Sequence, residues 1–214
     1  FFGMGCTIVA NYLVSVMMTF VKNVLGYELT QNSYGNSDDI LTYVVMFVAT
    51  AIAPAIFEEF SFRCCTLGVL KKYGKGFAVF MVSIIFGLIH GNVIQFVFAF
   101  LVGLVLAYIT IKTESIIPAM CIHAFNNGMS AINDTVNFVA GKEVNITVAL
   151  FVFWLVVGIS AAIYLAIKHK LTLPKDDSDC VLSTGQKINA FLFPGMILPF
   201  IILIVMTATT VHIG

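Results

Sequence analysis

The sequence predicts an all-α protein, a polytopic bundle of about seven transmembrane helices with its reactive site inside the bilayer. Three observations predict it. The 214 residues are 60% hydrophobic and only 10% charged, where a soluble domain averages about 25% charged. The apolar residues fall into runs long enough to cross a bilayer as helices. The few ionisable and amide side chains inside those runs fall at matching heights. At this length one transmembrane domain, residues 1–214, is expected, with a motif-bearing core at 39–139.

The runs lie at 3–25, 39–57 (continuing to about 70), 77–94, 96–111, 115–139, 146–167 and 190–212. The first, "FFGMGCTIVANYLVSVMMTFV", has no basic leader and exceeds a signal-peptide core, so it reads as a span. It starts at Phe1 without an initiator methionine, and an N-terminal segment is expected to precede it. The second contains Pro54, expected to bend it, because proline removes a backbone donor and crowds the preceding turn. The third and fourth are separated only by "HGNVIQ", which reads as a tight turn. The fifth opens on "TES" with Pro118, a position where the missing N–H costs nothing. The sixth and seventh are plain apolar runs, and the stretch between them, 168–189, reads as a long polar loop, mobile and non-catalytic.

Basic residues set the orientation. Lys71, Lys72 and Lys75, then Lys112, then Lys168, Lys170, Lys175 and Lys187 occupy loops on one side if the helices alternate. The loops 71–76, 112–114 and 168–189 are therefore expected to be cytoplasmic, and the lysine-poor loops near 27–39 and 140–145 to face out. The formal net charge is zero, which gives no electrostatic footing for nucleic acid. Cys6, Cys64, Cys65, Cys121 and Cys180 follow no zinc or disulfide spacing.

Ionisable groups at the centre of a spanning helix cost about 2.5–3.5 kcal/mol on insertion scales, so those that persist face the bundle interior. Glu58, Glu59 and Arg63 end the run "YVVMFVATAIAPAI"; His90 lies in "FGLIHGN"; His123 and Asn127 lie in "HAFNNGM". Counted from the lysine-rich ends at about 1.5 Å per residue, Glu58, His90 and His123 lie about 20, 21 and 17 Å deep. Glu59 and Arg63 are four residues apart and can pair, which leaves Glu58, turned about 100° away, free for other work. Phe86 and His90, and His123 and Asn127, share faces in the same way. Asn126, a weaker candidate, reads as capping or packing and is left out of the set.

A carboxylate beside an imidazole can hold and deprotonate a water, and a second imidazole with an amide can donate to an oxyanion. These are the parts of an acyl-bond hydrolase, most naturally one that cuts a peptide. Cys64 and Cys65 have no neighbour in sequence that would make a thiolate. Glu58, His90 and His123 are also a two-His, one-carboxylate set that could hold zinc, although no HExxH occurs. The same cavity could instead serve a non-proteolytic protein that sequesters a hydrophobic peptide, or a proton-coupled transporter.

The motifs EExxxR (Glu58, Glu59, Arg63), FxxxH (Phe86, His90) and HxxxN (His123, Asn127), in this order, resemble those of the CAAX protease and bacteriocin-processing family of intramembrane proteases, whose relatives include the Ras-converting CAAX endopeptidase. The resemblance implies an intramembrane peptidase with Glu58 and His90 activating water, His123 and Asn127 stabilising the oxyanion, and Glu59, Arg63 and Phe86 in support. It implies no required cofactor, with zinc as the alternative. It also implies a hydrophobic or lipid-modified substrate such as a CAAX terminus, bacteriocin or pheromone precursor, or else bacteriocin immunity without proteolysis. The compact size resembles that of prokaryotic members, which sit in the plasma membrane.

Overall fold

The computed structural model describes residues 1–25, 27–29, 39–140, 146–176 and 179–213. Of the lysine-poor loops, 30–38 and 141–145 lie outside the described residues. Helices occupy all seven apolar stretches: α1 (Phe2–Leu25), α2 (Ile40–Tyr73), α3 (Lys75–Leu88), α4 (Val93–Thr113), α5 (Ile117–Ala140), α6 (Ile146–Ile167), and a last pair, α7 (Thr184–Leu192) and α8 (Pro194–Thr210). Two three-residue strands, β1 (Tyr27–Leu29) and β2 (Val211–Ile213), pair antiparallel beside the bundle.

The expectation of seven spans is only partly met. Among the described residues four helices (α1, α2, α4 and α6) are long and apolar enough to cross a bilayer, or five if α7 and α8 count as one span bent by 47°. Helix α3 has 14 residues, about 21 Å at helical rise, and falls short by itself. Helix α6 is apolar along its length, and Val148, Val152, Phe153, Val156, Ile159 and Ile163 are all exposed. That is the condition of a helix whose solvent is lipid.

Two boundaries differ from the sequence reading. Helix α3 stops at Leu88 and not near 94, because the turn "HGN" is read literally by the backbone. Gly91 takes φ 75°, a left-handed value that suits glycine, and the Asn92 side chain caps α4 by accepting from the Gln95 N–H at 2.8 Å. His90 thus sits in the hairpin turn itself. The polar stretch 168–189 is not all loop. Ser183 and Gln186 form a reciprocal capping box that starts α7 at Thr184.

Pro54 does not break α2. The turn ahead of it, Val48–Ile52, is widened to i→i+5 bonding, and the proline enters in the first turn of the next α-helical stretch, Ala53–Glu59. A wide turn takes up the bond that proline cannot make. A second widened stretch, Phe60–Thr66, follows immediately. Such insertions re-aim side chains and recur at functional sites. Here they bracket the two glutamates.

The core has two centres. Met4, Ala10, Val102, Leu106, Ala119 and Ile122 pack α1, α4 and α5 together. Leu67, Ala78, Val79, Val82 and Ala107 pack α2, α3 and α4. Small residues bring backbones close: a Cβ added at Gly5 would lie 2.5 Å from the Gly158 Cα. This contact sets the α1–α6 separation, as small residues do between membrane helices. Gly158→Val is expected to lower stability by about 1–3 kcal/mol, the usual cost of overpacking, read as a drop in the unfolding midpoint in micelles.

The three lysine-rich segments meet at one end of the bundle. The Asp176 carboxylate accepts from the Lys75 backbone N–H at 2.7 Å, and the Lys75 ammonium donates to the Lys175 carbonyl at 2.6 Å. The Lys112 ammonium donates to the Thr172 carbonyl, and the Leu182 N–H donates to the Tyr73 carbonyl at 3.1 Å. Residues 172–182 are therefore held on the other two loops at these points.

Candidate active site

Glu58, Phe86, His90, His123, Asn126 and Asn127 line one cavity of about 220 Å³ between α2, α4, α5 and the α3–α4 turn. Thr50 and Pro54 line it from the helix stretch before the glutamates. All four side chains expected to be catalytic, Glu58, His90, His123 and Asn127, are thus brought to a common space.

The pair Glu59–Arg63 is present and wholly buried. Arg63 Nη1 stands 3.1 Å from Glu59 Oε1, with neither side chain exposed. What the sequence reading missed is the second partner of Glu59. The same Oε1 accepts from His123 Nδ1 at 2.8 Å, across 64 positions of sequence. An imidazole that donates from Nδ1 carries its lone pair, or a second proton, on Nε2. That Nε2 points toward Glu58, 3.9 Å from Oε2. The separation is too long for a direct hydrogen bond, and at such a distance a bridging water is the arrangement to consider. Glu58 remains partly open to the cavity, with its side chain 29% exposed.

His90 is oriented independently. Its Nδ1–H donates to the Phe86 carbonyl at 2.8 Å, one helical turn back. Neutral His90 therefore offers an Nε2 lone pair. Phe86 joins the parts: its ring lies 4.3 Å under the Arg63 guanidinium and meets His90 and His123 edge-on, with centroids 5.1 and 5.9 Å away. The cation–π contact adds a favourable surface to a guanidinium that has left water.

Asn127 Nδ2 donates to the Thr50 carbonyl at 3.2 Å. That leaves its second N–H for another acceptor. Its Oδ1 accepts from Asn126, and Asn126 in turn accepts from Asn11 of α1 at 3.1 Å. Asn126 therefore belongs to the cavity wall. Its neighbour Asn127 hinted at this in the sequence, but Asn11 and Thr50 carried no such signal.

Glu58, His90 and His123, the zinc set named from the sequence, line the cavity without converging as ligands. Among the described residues no three His, Cys, Asp or Glu side chains are placed to hold a metal ion. Among the described residues Cys6, Cys64, Cys65 and Cys121 form no disulfide.

Residues 40–129 match the family model Rce1-like, described as type II CAAX prenyl endopeptidase Rce1-like. No curated protein and no solved structure matches the chain. The matched stretch holds all three motifs from which the family resemblance was read, and that resemblance holds.

Proposed function

We propose, from the match of residues 40–129 to the Rce1-like family model of type II CAAX prenyl endopeptidases, that this integral membrane protein is an intramembrane endopeptidase that uses a water activated by Glu58. The observation that carries the reading is the single cavity lined by Glu58, His90, His123 and two asparagine amides. The substrate is a hydrophobic or lipid-modified peptide of the CAAX type, delivered from the bilayer. The lysine-rich end faces the cytoplasm of a prokaryotic plasma membrane, following the lysine bias of its loops.

In the proposed reaction a water sits between Glu58 and His90. Glu58 accepts one water proton, and the other is held by the His90 Nε2 lone pair. The water oxygen attacks the scissile carbonyl carbon. The resulting oxyanion accepts from the free Asn127 N–H and from His123 Nε2–H. His123 can donate there only as the imidazolium, because its Nδ1–H is committed to Glu59. Glu58 then passes its proton to the leaving nitrogen. The C–N bond breaks and His90 Nε2 takes the remaining hydroxyl proton, giving a carboxylate and an amine. Glu59 and Arg63 position His123 and touch no substrate. No metal takes part.

The test is cleavage of a farnesylated CAAX peptide by the purified full chain in liposomes, read by mass spectrometry. A C-terminal tripeptide released equally with and without EDTA is the expected result. Intact peptide at all times would leave only a non-proteolytic, peptide-binding role for the cavity, and loss of cleavage with EDTA would reinstate zinc.

A further inference from the structure

A cavity larger than the candidate active site lies elsewhere in the described residues. A space of about 610 Å³ opens at the lysine-rich end of α2, α3, α4 and α5. Lys71, Lys72 and Lys75 line it with Arg63, Ser115 and one opposing carboxylate, Glu114. Leu67, Ile111 and Ile116 give it apolar walls beside the cations. Arg63 stands eight residues before Lys71, about 12 Å deeper along the helix. Its side chain is wholly buried, and its Nε and Nη2 have no hydrogen-bond partner among the described residues. A buried guanidinium with open donors is costly to leave unsatisfied.

We infer that this cavity binds the phosphate headgroup of an anionic phospholipid. The reading goes beyond the peptidase proposal and does not depend on it. Three lysines against one carboxylate select an anion. The apolar walls accommodate the start of acyl chains, which a free inorganic anion does not have. The cavity lies where the spanning helices α2 and α4 end in lysines, at headgroup depth, the setting in which basic pockets between helices hold anionic headgroups. Lys71 and Lys72 are exposed and meet the phosphate.

The experiment uses the full chain in neutral detergent, with the unfolding midpoint followed during titration with phosphatidylglycerol, phosphatidylcholine, inorganic phosphate, or a peptide with a free C-terminal carboxylate. Phosphatidylglycerol alone is expected to raise the midpoint, because a ligand that binds only the folded state stabilises it. In Lys71→Gln/Lys72→Gln the concentration giving half the shift is expected to rise at least about tenfold. Lys168→Gln/Lys170→Gln, at the same end but outside the cavity, keeps the wild-type response. An equal shift from inorganic phosphate or from the peptide overturns the lipid assignment. An unchanged response in Lys71→Gln/Lys72→Gln, or an equal loss in the Lys168/Lys170 variant, overturns the site. The readout is binding, so it stands apart from any failure of peptide cleavage.

Discussion

Glu58→Gln is expected to lower turnover on a cleavable CAAX-type peptide by about 10²–10⁴-fold, the range that a positioned general base contributes. The amide keeps the shape of the side chain and removes its ability to take a proton. Little stability should be lost with it. Glu58 is the more open of the two glutamates, and His123 Nε2 stands 3.9 Å from it, beyond hydrogen-bond distance. The unfolding midpoint should therefore stay within a few degrees of wild type while product formation collapses. That split between folding and rate separates a group acting on the substrate from one holding helices together.

The adjacent residue should behave in the opposite way. Arg63→Met leaves the Glu59 carboxylate fully buried without its cation, and breaking a buried ion pair on one side costs about 3–5 kcal/mol. Equilibrium unfolding in mixed micelles should register that loss. Glu59→Gln/Arg63→Met, which removes both charges, should recover most of it, because a buried pair replaced on both sides is often near neutral. Activity should not recover in the double variant. Without the Glu59 carboxylate, His123 Nδ1 loses the acceptor, 2.8 Å away, that holds its ring. Recovery of stability without recovery of turnover is the signature of a positioning role for the pair.

Much of this site was legible in the sequence, for a physical reason. Charged and amide side chains are expensive in a bilayer, so Glu58, Glu59, Arg63, His90, His123 and Asn127 stand out against an apolar background. Helical rise and four-residue spacing are enough to estimate depth and local facing. Those estimates brought Glu58, His90 and His123 to one layer, and the same residues line one cavity. What could not be read is which helix lies beside which. The Glu59–His123 hydrogen bond depends on α2 meeting α5, and nothing local to either motif encodes that contact. Side-chain direction through the widened turns at Val48–Ile52 and Phe60–Thr66 was equally hidden, because a 3.6-residue period no longer applies there. Span counting failed differently. Apolar runs mark burial in lipid or in protein alike, and α3 is apolar but too short to cross unaided.

The central claim is that Glu58 and His123, from different helices, act on one substrate in one cavity. A double-variant cycle tests it most directly: wild type, Glu58→Gln, His123→Gln and the combination, each assayed in liposomes on the same farnesylated peptide. Residues that act as a unit give strongly non-additive losses. The account predicts that the combined variant is no slower than the worse single variant to within about tenfold. Wild-type turnover in Glu58→Gln, or losses that multiply as if the two sites were independent, would contradict it.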